Sequence, residues 1–189
     1  MAETIKRITI DAENDFGGRS EKTLGVSQGI PIILDLLKRS HISGLFFIST
    51  ELLSVEGETL SWIRKAGHEI GAHGHHHVCY KEAWRAEEDK EISKLLLNAR
   101  LYRAPKFYHA REDSVYSNPK NHVSLLKHCW FGTPIKKDTI FYMHPFDIVR
   151  SNERPPNLFC SVWYSQPEFA LKKLREVIEN MSRQSPQSL

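Results

Sequence analysis

The sequence predicts an α/β architecture with a parallel sheet, open or closed into a barrel. Three observations carry this. Short apolar runs alternate along the chain with segments of helical periodicity. The run Leu45-Phe46-Phe47-Ile48 is apolar at every position, as a strand covered on both faces would be. Polar clusters follow the expected strands, where parallel folds gather their functional loops.

The elements follow in order. Ile5 to Ile10 is a β-prone run that stops at Asp11, and the polar stretch to Gly29 reads as a loop. Ile30, Ile33, Leu34 and Leu37 form one helical face, with Pro31 in the first turn, where its missing N–H costs nothing. Leu45 to Ile48 is the next strand. A short helix around Leu60 and Ile63 stops at Gly67, and His68 to Ala72 is a third strand. Trp84, Glu88, Ile92, Leu95, Leu96 and Ala99 mark a longer amphipathic helix with its apolar side inward. Leu101 to Arg103 is a short strand, residues 122–130 a helix, and Thr139 to Met143 a strand. Ser165-Gln-Pro-Glu168 has the form of a capping box opening a last helix through Met181. Residues 1–182 are read as one domain and 183–189 as a frayed polar tail.

Composition limits the function classes. The chain has 189 residues, 40% hydrophobic and 26% charged, which suits a globular domain rather than a fibrous or disordered one. No apolar run approaches the ~18 residues of a membrane span. The net charge of +3 is small and scattered, which argues against nucleic acid as a partner. The three cysteines, Cys79, Cys129 and Cys160, lie far apart. They suggest no disulfide framework and, with no secretion signal at Met1 to Ile10, a cytoplasmic location.

Candidate chemistry sits in four clusters. Asp11 and Glu13 are spaced i, i+2, so at the end of an extended strand both project to one side. One could bind metal while the other acts as base, and Asp15 competes with Glu13 for the metal role. His73 and His77 are spaced i, i+4, which on a helical turn aims both rings at one cation. His75 and His76 cannot share that geometry and would support the ligands or face solvent. Arg103 precedes Ala-Pro, and His144 follows the apolar run Ile140 to Met143. Lys81 to Glu91 reads as a solvated helix face, and Trp62 and Trp84 as core. Trp163-Tyr164 could stack on a sugar or pack inside.

Together these motifs resemble the polysaccharide deacetylases, carbohydrate esterase family four. The carriers are Thr9-Ile-Asp-Ala-Glu13, His73-x-x-x-His77, Arg103-Ala-Pro105 and Phe141-Tyr-Met-His144, in family order. The resemblance implies a distorted (β/α) barrel and a divalent metal, commonly zinc, held by Glu13, His73 and His77. It implies Asp11 as general base, Arg103 as its partner and His144 as general acid. The expected reaction is removal of an acetyl group from an N-acetylated sugar or glycoconjugate precursor. Hydrolysis of a formyl or non-sugar amide or ureide, and a non-catalytic carbohydrate- or metal-binding module, are the alternatives. Two departures stand out. Glu13 replaces the usual aspartate, and only 40 residues separate Arg103 from His144. The barrel is therefore expected to be incomplete there, leaving an open groove or an edge covered by a second subunit in a homo-oligomer. Trp130 is not assigned to the family's tryptophan motif.

Overall fold

The computed structural model describes residues 7–108, 116, 120, 122–135 and 139–184. Five parallel strands form one open sheet in the order β3-β2-β1-β5-β4. They are β1 (Arg7–Ala12), β2 (Leu45–Ile48), β3 (Glu69–Ala72), β4 (His122–Ser124) and β5 (Ile140–Met143). Parallel pairing needs crossovers. Helices α2 (Ile30–Arg39), α3 (Gly57–Lys65), α4 (Ala83–Leu97), α5 (Leu125–Phe131) and α7 (Pro167–Gln184) supply the layer around the sheet. Two short pieces, α1 (Asp15–Gly18) and α6 (Leu158–Trp163), complete the set. Among the described residues no helix is long and apolar enough to cross a membrane.

The sheet is not closed, in keeping with an incomplete barrel. Beyond β3 the chain continues as a single bridge, Ala72 to Tyr102. Among the described residues, side chains pack across the gap toward β4. Phe107 packs on His122 (5.1 Å between ring centres) and on Tyr142 (5.5 Å). The core sits between sheet and helices: Ile8, Ile10, Phe46, Ile48, Phe141 and Met143 of the strands meet Ile33, Leu37, Ile63 and Leu174. All four β2 residues are buried.

Several expectations change. Strand β1 runs through Asp11 and Ala12, and the stretch read as loop contains α1 and a π-helical turn (Gly25–Gly29) leading straight into α2. His122 to Ser124 pairs with β5 as a strand, and α5 begins only at Leu125, where Ser124 Oγ accepts from Lys127 N at 3.2 Å. The capping box does not form: Ser165 Oγ donates to the Val162 carbonyl, and Glu168 pairs with Arg150. Helix α4 is turned the other way. It buries Asp89, Ser93 and Leu97, while Trp84, Ile92, Leu95 and Leu96 face solvent. The reason is polar, since Asp89 accepts from the His75 backbone N–H at 3.0 Å and must face the sheet. Trp62 is also exposed rather than core. Helix α7 continues through Gln184, past the expected start of the tail, and residues 185–189 lie outside the described ones.

Candidate metal and catalytic centre

The strand register assembles the site. Ala12 pairs with Ile48, Ile48 with Ala72, and Ala72 with Tyr102. The next residues along, Glu13, Ser49, His73 and Arg103, therefore leave the same edge of the sheet. On the other side Ile10 pairs with Met143, which sets Asp11 beside His144. All six candidate residues thus meet at the C-terminal ends of β1, β3, β5 and the Tyr102 bridge.

Glu13, His73 and His77 are buried, and their ligand atoms lie within 4.8 Å of one another. His73 Nε2 is 3.2 Å from Glu13 Oε2, and His77 Nε2 is closer still. His73 Nδ1 lies 2.8 Å from the Arg103 carbonyl. A carbonyl can only accept, so Nδ1 carries a proton and Nε2 is the atom that faces Glu13. The carboxylate is matched there by positive charge, either a proton on the imidazoles or a cation between the three side chains. Apart from these imidazoles, neither Glu13 oxygen has a hydrogen-bond partner among the described residues. Two imidazoles and one carboxylate are also a common donor set for zinc with an open position. The residues present fit a divalent cation.

The expected helical turn at His73–His77 is absent. The segment is irregular, with Gly74 (φ 79°) and His77 (φ 51°) left-handed. His77 is held from the far side by Gly18 (φ 71°), where a Cβ would stand 2.3 Å from His77 Nδ1. His75 Nδ1 bonds Thr50 Oγ1 at 2.6 Å, and His76 lies at the surface near Glu51.

Asp15 is elsewhere. Its two oxygens accept from Leu24 N (2.9 Å) and Gly25 N (2.8 Å), tying down the turn before α2. Burial pushes its carboxyl up to about 6.

Arg103 is fully buried and spans the gap of the sheet. Its Nη1 pairs with Asp11 Oδ1. Nη2 donates to Thr9 Oγ1 at 2.9 Å and stands 3.2 Å from His122 Nε2, while Nε donates to the Tyr116 carbonyl at 3.0 Å. Its guanidinium lies 4.3 Å from the Phe47 ring centre.

His144 Nε2 is 3.6 Å from Glu13 Oε1, and its Nδ1 is 3.5 Å from Asp147 Oδ1. Asp147 Oδ2 also accepts the His144 backbone N–H at 2.9 Å. The ring is 23% exposed. Burial opposes its charge, but Asp147, Glu13 and Asp11 outweigh that and raise it to about 10. Burial likewise acts to raise Glu13, yet His77 and His144 with the His73 and His77 contacts hold it well below the usual carboxylate range. His73 is raised: burial lowers it, and Asp11 and Glu13 more than compensate.

The sequence gives Asp147 no role of its own, and offers Tyr164 only as a sugar-stacking or packing residue beside Trp163. Asp147 stands three positions after His144, a spacing that could have flagged it. Tyr164 packs inside against Phe16 (5.4 Å) and Phe146 (5.3 Å).

The fold is shared with known proteins. Among solved structures, the chain superposes on PdaA of Bacillus subtilis, a family 4 carbohydrate esterase, with TM-score 0.57 at 16% identity, over 97% of this chain and 76% of that one. It superposes on the Xyl-CE4 domain of a multidomain xylanase from the hindgut metagenome of Trinervitermes trinervoides with TM-score 0.56 at 16% identity, covering 95% and 85%. A CE4 family pseudoenzyme from Bacillus anthracis matches with TM-score 0.52 at 14% identity, over 91% of this chain. The chain spans 62% of that protein, less than two thirds of its length. No curated protein matches. The family model for polysaccharide deacetylase matches residues 17–111, a little over half of the chain. On that match the chain belongs to the polysaccharide deacetylase family.

Proposed function

We propose that the protein is a metal-dependent hydrolase that removes the acetyl group from an N-acetylated sugar or glycoconjugate precursor. The observation that carries this reading is the convergence of Glu13, His73 and His77 on one point, with Asp11 and His144 flanking it. Glu13, His73 and His77 would hold the divalent cation, with zinc the best match to their chemistry. Bound there, it supplies a Lewis acid and lowers the pKa of water toward about 7.

The chain's own groups divide the proton transfers. Asp11, fixed by Arg103, takes the proton of the attacking water. His144 donates a proton to the departing amine, without which an amide nitrogen is a poor leaving group. Asp147 keeps the imidazolium charged and fixes the ring from its Nδ1 side. His73 is oriented by the Arg103 carbonyl, so the same residue positions base and ligand.

The test is acetate release from N-acetylglucosamine oligomers by protein supplemented with zinc, against the same protein with a chelator. The reading requires release that the chelator abolishes. Acetate release that survives in His73→Ala protein stripped of metal contradicts it.

A further inference from the structure

Beside the centre lies a corner that the mechanism leaves unused. Helix α1 is one distorted turn in which Phe16 (φ 57°) and Gly17 (φ 71°) are left-handed. A bulky residue at positive φ is strained, and such strain tends to cluster at functional sites. The turn throws Arg19 back over Gly17, where its Nη1 donates to the Phe16 carbonyl at 2.9 Å. Three polar atoms surround the point a Gly17 Cβ would occupy: Arg19 Nη1 at 2.9 Å, Tyr164 Oη at 3.5 Å and Glu13 Oε1 at 3.6 Å. Among the described residues no carboxylate forms an ion pair with Arg19. Burial together with Asp147 and Glu13 holds the Tyr164 phenol protonated, so it is a hydrogen-bond donor.

We propose that Arg19 and Tyr164 form an anion-recognising corner of the substrate site, selecting an N-acylated sugar that carries a carboxylate or phosphate near its acylamino group. The inference rests on the proposed deacetylase reading for the identity of the sugar. The chemistry follows from the donors. Arginine presents a planar fork suited to carboxylate and phosphate oxygens, and among the described residues its other N–H groups have no partner. Without a Cβ at Gly17, Arg19 Nη1, Tyr164 Oη and Glu13 Oε1 converge on one point. The Glu13 charge opposes an anion, and a cation held by Glu13, His73 and His77 would compensate it. A neutral sugar would leave the guanidinium unpaired, so the corner discriminates by charge.

The test is an NMR-detected titration of zinc-supplemented protein, which reads millimolar affinities, with three probes. These are N-acetylmuramic acid, N-acetylglucosamine 1-phosphate and neutral N-acetylglucosamine. At least one acidic probe should bind about tenfold more tightly than the neutral one, as hydrogen bonds to charged groups allow. Which acid wins tells carboxylate from phosphate. The preference should fall to about twofold or less in Arg19→Ala and return in part in Arg19→Lys. Arg19 is exposed, so the variants should keep the wild-type melting temperature. Equal binding of all three probes, no binding of any, or a preference that survives Arg19→Ala overturns the proposal. Acetate release followed in the same samples reports separately on the deacetylase reading. Charge preference without acetate counts against that reading, and acetate without charge preference counts against this inference.

Discussion

The Nδ1 of His73 lies 2.8 Å from the backbone carbonyl of Arg103, whose side chain pairs with Asp11. One buried residue therefore sets the tautomer of a candidate ligand through its main chain and the orientation of the candidate base through its guanidinium. The candidate metal ligands and the candidate base are thus joined through Arg103, the residue after the Tyr102 bridge.

Removing Arg103 should damage fold and chemistry together. Arg103→Ala leaves Asp11 buried without its partner, which costs about 3–5 kcal/mol. Urea denaturation should show that loss. Arg103→Lys keeps a charge but cannot serve Asp11, Thr9 and the Tyr116 carbonyl at once. It should lose activity with a smaller loss of stability. Unchanged stability in Arg103→Ala would mean that the pair does not hold the sheet edge.

Glycine 18 should be essential to His77. Gly18→Ala introduces a Cβ at positive φ, a strain of roughly 1–2 kcal/mol, and drives it into the imidazole. Zinc affinity should fall by about 10–100-fold, the range seen when a ligand loses its support. Competition with a chromogenic chelator measures this. Wild-type affinity in the variant would show that His77 is not held from that side.

Asp147 should control the alkaline side of the pH profile. The proposed role of His144 as an acid requires its protonated form, and its folded value is raised to about 10. Activity should therefore persist through neutral pH and fall as pH rises through that folded value. A cation at Glu13 removes the Glu13 contribution, but Asp147 keeps its own. Asp147→Asn should move the alkaline limb of kcat/KM down by roughly one unit or more. An unmoved limb would assign that titration to another group.

Much of this arrangement was legible in the sequence because it depends on strand ends. A parallel sheet brings the residue after each strand to one edge, so Asp11, Glu13, His73, Arg103 and His144 could be grouped before their register was known. Features set by tertiary packing were not legible. The apolar positions of α4 suggested a buried stripe, but the need to place Asp89 under the His75 N–H turned the helix over. Asp15 and Glu13 looked alike as carboxylates, and only the turn before α2 separates them, since it occupies both Asp15 oxygens. Left-handed residues at Phe16 and His77 bring Arg19 and the second imidazole into place, and neither carries a glycine to announce it.

The most direct test of the central claim is an anomalous-scattering map of zinc-soaked crystals collected at the zinc edge. The account predicts one strong peak about 2.0–2.2 Å from a Glu13 carboxylate oxygen and from the Nε2 atoms of His73 and His77. A peak on other residues, or no ordered peak at these three under saturating zinc, would contradict it.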